Sequence, residues 1–83
     1  MFRNKIEKLL TGVRVKPVRR VGSCSLDLDR VLVVDMMDEE RTYWRLEEWG
    51  QLLAAGSCTG GIAKQAKKID QAIVGKFDPI VNL

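Results

Sequence analysis

Histidine is missing from this chain altogether. Its absence removes the side chain that most often acts as a general acid or base near neutral pH, and the commonest metal ligand. Cysteine is scarce too. Cys24 and Cys58 stand far apart and belong to no C-x-x-C pair, so the chain alone cannot assemble a structural zinc site. Two reduced thiols are the expectation, with a Cys24–Cys58 disulfide as the alternative. Aromatic residues are only 6% of the chain, which leaves any core to Leu, Ile and Val. Apolar runs such as Val31 to Val34 stop at four residues. A signal-peptide core needs ~7–15 and a membrane span ~20. A cytoplasmic protein with no membrane partner is therefore expected.

The same shortages exclude most catalysis. A serine or threonine nucleophile would lack its base, and Cys58 with Lys64 makes no convincing dyad. Paired carboxylates need a cleft that 83 residues would struggle to enclose. The acids between Asp35 and Glu48 lack the spacing of a calcium loop, so no metal is assigned. Gly56 and Gly61 match the first half of a phosphate loop, but Ile62 and Ala63 stand where its Lys and Ser/Thr should be. A weaker anion site at a helix N-terminus, or a plain helix–helix connection, remains open there. The expectation is a binding protein and not an enzyme, with no cofactor and no catalytic residue. It forms a single domain, 1–83. Cores of this size contribute only about 3–5 kcal/mol, so a partner subunit would help.

What the chain does have is charge, sorted by position. Residues 1–21 carry seven cations against Glu7 alone, residues 26–48 carry eight acids against three arginines, and residues 60–83 return to a lysine excess. This pattern predicts either a basic patch for an acidic partner or basic and acidic segments that neutralise each other in the fold.

Periodicity predicts an α+β fold. Phe2, Ile6, Leu9 and Leu10 fit a short helix over about 2–10, ended by Thr11-Gly12. Val13 and Val15 alternate with Arg14 and Lys16, and Leu26 and Leu28 with Asp27 and Asp29. Together they predict an antiparallel hairpin over about 13–35, turning at Gly22 to Ser25. A helix over 38–55 follows, capped by Asp38, with Tyr43, Leu46, Trp49 and Leu52 on its inner face and Trp44 opposite. After a loop at 57–61, with Thr59 as cap, a last helix over about 61–75 carries an Ile62, Ala66, Ile69, Ile73 stripe.

Two surfaces follow. Arg14, Lys16, Arg19 and Arg20 on an edge strand, with Lys64, Lys67 and Lys68 on the last helix, are candidates for phosphate contacts to nucleic acid. The helix pair around Gly56 to Gly61 has the outline of a helix-turn-helix, but only Gln65 and Gln71 are available to read bases. Backbone binding is expected. Trp44, either packed under the first helix or exposed with Arg41, Arg45 and Glu48 around it, is the alternative: an anchor for a protein partner.

The string Trp44-Arg45-Leu46-Glu47-Glu48-Trp49-Gly50-Gln51-Leu52 resembles a helix of phage antitermination proteins of the Q type. Ile69-Asp70-Gln71-Ala72-Ile73 is similar to a later helix of theirs. The likeness spans about a third of the chain. It departs where Gln51 or Leu52 replaces a second Trp, in the shorter glycine loop, and in lacking that family's C-terminal DNA-binding helices. The resemblance implies a phage regulator acting on DNA or RNA polymerase. Combined with the charge pattern, the expected function is a small phage- or plasmid-type regulator binding nucleic acid or the transcription machinery. The alternative is an inhibitor or adaptor that blocks a host complex through its acidic helix and Trp44. A homodimer through Ile80 to Leu83 fits either.

Overall fold

A computed structural model describes residues 2–14, 20–27, 29–36 and 41–74, together with the backbone alone at Arg20. Among them the order is α1 (Arg3–Arg14), β1 (Arg20–Ser25), β2 (Arg30–Met36), β3 (Arg41–Glu48), β4 (Gln51–Thr59) and α2 (Ile62–Val74). The strands form one antiparallel sheet in the order β1-β2-β3-β4, and the fold is α+β as expected. No helix among the described residues is long and apolar enough to cross a membrane.

Helix α1 runs one turn further than Gly12 suggested. Val13 extends the buried stripe of Ile6 and Leu10, at i, i+4 and i+7, so burial carries the helix through the glycine. The residues read as the start of the hairpin, Val13 and Arg14, are thus helical. The hairpin itself exists but is displaced: β1 ends at Ser25 and β2 begins at Arg30, so Leu26, Asp27 and Asp29, expected in a strand, lie between the two, and Leu28 is outside the described residues. The Asp27 carboxylate explains the shift. It accepts the amides of Asp29 and Arg30 at 3.2 and 3.1 Å, a local turn device that competes with strand pairing.

The larger correction concerns residues 38–55, expected as a helix. Residues 41–59 are instead a β-hairpin, with residues 38–40 outside the described set. Thr42, Trp44 and Leu46 point inward while Arg41, Tyr43 and Arg45 point out, an alternation of period two. Ser57 to Thr59, expected as a loop, complete β4. Gly61 rather than Thr59 precedes α2, its carbonyl accepting the first helical bond from Gln65 at 2.9 Å.

Both helices pack on one face of the sheet. The core joins Ile6 and Leu10 of α1, Leu32 and Val34 of β2, Leu46 of β3, and Ile69 and Ile73 of α2. Two glycines permit close contacts, one between α1 and β1 and one between neighbouring strands. A Cβ on Gly22 would stand 2.5 Å from Val13 Cγ2, and one on Gly56 would stand 2.9 Å from the Trp44 ring. Within the core, the Thr42 hydroxyl donates to Gln65 Oε1 at 2.5 Å, and Gln65 Nε2 donates to the Gly60 carbonyl at 3.0 Å. That pair fixes the start of α2 over β3.

The cysteines are free. Cys24 lies on β1 and Cys58 on β4, three strand spacings (about 14 Å) apart across the sheet and offset by four residues along it, well beyond disulfide reach.

Candidate nucleic-acid interface

On α2 the stripe Ile62, Ala66, Ile69 and Ile73 faces the core, so its phase decides where the lysines go. At about 100° per residue, Lys64 and Lys67 point away from the sheet and Lys68 turns towards the β4 edge. All three are exposed. Lys68 Nζ donates to the Thr59 carbonyl at 3.2 Å. Arg41 is the cross-strand neighbour of Thr59, but its side chain lies on the other face of the sheet, where it donates to Ser57 Oγ at 3.1 Å. Burial raises the thiol of Cys58 beneath them, against the opposing pull of Lys68 and Arg41.

A second basic strip lies on the far side of the helix layer. Lys5 Nζ donates to the Ser25 carbonyl at 3.2 Å, and Lys8 stands further along the same cleft between α1 and β1. Cys24 lines that cleft, its thiol also raised by burial against the pull of Lys5.

The acids gather elsewhere. Arg30 meets Asp27 at 3.2 Å and Glu48 at 3.6 Å, and Arg45 meets Glu47 at 2.6 Å. Among the described residues, none of Lys5, Lys8, Lys64, Lys67 and Lys68 has an acid within ion-pair reach. The acid on α2, Asp70, is engaged inside the layer, accepting the Phe2 amide at 2.8 Å. Burial alone would raise its carboxyl, but hydrogen bonds from the terminal ammonium and the Phe2 amide, with the charges of that ammonium and of Arg3, bring it below its ordinary value.

Of the phosphate candidates, the fold brings Lys64, Lys67 and Lys68 onto one exposed face. Arg14 sits half-buried at the end of α1, the Arg20 side chain is not described, and Lys16 and Arg19 lie outside the described residues. The helix-turn-helix outline fails because β4, and not a helix, precedes α2. The partner-binding group is dispersed. Trp44 is 8% exposed and faces the core, Arg41 and Arg45 face the opposite side of the sheet, and Glu48 pairs with Arg30 at the strand's end. The expected dimer contact at Ile80 to Leu83 lies outside the described residues.

Sequence reasoning passed over Lys5, Lys8 and Trp49. The first two were visible in the cation count of residues 1–21, and the third in Trp49-Gly50 as a two-residue turn. Comparison with known families, characterised proteins and solved structures finds no match to this chain.

Proposed function

We propose that this protein binds the phosphate backbone of nucleic acid through Lys64, Lys67 and Lys68. In this reading it is a small, non-catalytic regulator of phage or plasmid type, acting on nucleic acid or on the transcription machinery. The observation that carries the reading is the exposed lysine row of α2, which has no acid within ion-pair reach among the described residues. Solvated ammonium groups on one helical face recruit phosphates by releasing counterions and need no base contact.

The alternative, an inhibitor that blocks a host complex, loses its helix and its Trp44 anchor to the hairpin. What favours a protein contact instead is Trp49, 81% exposed at the tip of the second hairpin.

Fluorescence anisotropy against labelled single- and double-stranded DNA and RNA at several salt concentrations tests the reading. Binding should weaken steeply with salt. Reversing Lys64 and Lys67 to Glu should lower the log–log slope on duplex DNA by about 2, since each phosphate contact contributes about 0.9. Absence of binding at low salt, or binding indifferent to the reversal, would overturn it.

A further inference from the structure

The turn between β3 and β4 is built on an awkward residue. Trp49 has φ of 52° and Gly50 of 78°, so both central residues are left-handed, as the twist of a two-residue hairpin requires. Glycine and asparagine adopt this conformation easily, and a bulky side chain does not. Trp49 is also 81% exposed, and Leu52 beside it 63%, so neither is held there by packing within its own fold. Backbone strain and an exposed indole coincide at one tip, flanked by Glu47 and Glu48.

The chain also carries a receptor of opposite charge. The cleft between α1 and β1, about 290 Å³, is lined by Lys5, Lys8, Leu9, Cys24 and their serine neighbours. It continues into a second hollow of about 490 Å³ at Leu26 and Asp27, the latter held by Arg30 at 3.2 Å. Among the described residues, no strand covers the outer side of β1.

We propose that the Trp49 tip docks in the α1–β1 cleft of a second copy, and that the second copy returns the contact. Strand register places Ser25, Val31 and Glu47 in one row, so tip and cleft open at the same end of the sheet. They lie on opposite sides of its midline, the cleft beside β1 and the tip between β3 and β4. A two-fold axis along the sheet normal at that end sets each tip over the other copy's cleft and closes the assembly as a dimer. Trp49 and Leu52 meet Leu9 and the cleft floor, while Glu47 and Glu48, which already stand beside Arg45 and Arg30 of their own sheet, share their outer oxygens with Lys5 and Lys8. The same axis keeps both helix layers on one side, so the two α2 lysine rows share a surface.

Sedimentation of the full chain from low micromolar to near-millimolar concentration tests this. The wild type should pass from monomer to dimer. Trp49→Gly should weaken the dimer more than tenfold while raising the melting temperature of the monomer, because it removes the indole and relieves the turn together. Lys8→Glu, at a residue with no hydrogen bond or ion pair among the described residues, should also weaken the dimer, and Tyr43→Ser on the outer sheet face should not. A wild type that stays monomeric throughout overturns the proposal. So does a dimer that survives both Trp49→Gly and Lys8→Glu, or one that Tyr43→Ser abolishes. Nucleic-acid binding by α2 is read separately by anisotropy and does not depend on the outcome.

Discussion

Trp44 and Gly56 face each other across β3 and β4, and their contact can be tested with one mutant cycle. A methyl group at position 56 would sit 2.9 to 3.1 Å from Cζ2, Cε2 and Nε1 of the indole, inside ordinary contact distance. Trp44 cannot swing outward, because Leu46 and the helix layer share its buried face. Gly56→Ala should therefore cost about 1–3 kcal/mol, the usual range for overpacking. In a domain of this length, each kcal/mol lowers the melting temperature by about 4–8 °C. Trp44→Leu should itself be costly, since truncating a buried tryptophan to Ala costs about 3–5 kcal/mol. In the Trp44→Leu background the clash is gone. Alanine there should then be neutral, or stabilising by about 0.5–1 kcal/mol, since glycine weakens a strand. Urea denaturation followed by circular dichroism gives all four stabilities. Equal cost of Gly56→Ala in both backgrounds would refute the packing. A Trp44→Leu protein as stable as wild type would return Trp44 to the surface and revive it as a partner anchor.

Two further outcomes follow from the polar contacts. Thr42→Val should cost about 1–3 kcal/mol by leaving Gln65 short of a partner in the core, and adding Gln65→Leu should recover part of it; a neutral single change would contradict the buried bond. Asp70→Asn should destabilise at neutral pH. Its carboxyl is lowered in the folded state, so its stabilisation is complete above the ordinary carboxylate range of about pH 4 and fades as pH falls through the folded value. The gap between variant and wild type should close in acid, as thermal melts at the two pH values would show. A gap independent of pH would remove the charge from the explanation.

Several features were legible without coordinates because they depend on local periodicity. The α2 stripe of Ile62, Ala66, Ile69 and Ile73 is helical and amphipathic, and its lysines had to face out wherever its apolar face went in. The β2 run at Val31 to Val34 has no other comfortable conformation than a strand. Two lone cysteines left reduced thiols as the expectation with a disulfide as the alternative, and the sheet, by setting Cys24 and Cys58 on strands at its two edges, leaves both free.

The second hairpin was not legible. Its inward positions on β4 are Ala54, Gly56 and Cys58, too small to mark a period of two. Leu, Glu and Ala elsewhere in 44–55 favour a helix when considered alone. Its turn is Trp49-Gly50 rather than Asn-Gly, so the usual signal was missing. What decided the matter is tertiary: β2 offers an edge that β3 fills with Thr42, Trp44 and Leu46 facing the helices, and only small residues on β4 leave room for the indole. Local sequence determined the helix and strand at either end and the sign of charge on each. Which faces are free, and that Trp49 rather than Trp44 is the exposed tryptophan, required the sheet, because burial belongs to the assembled layers and not to any one segment.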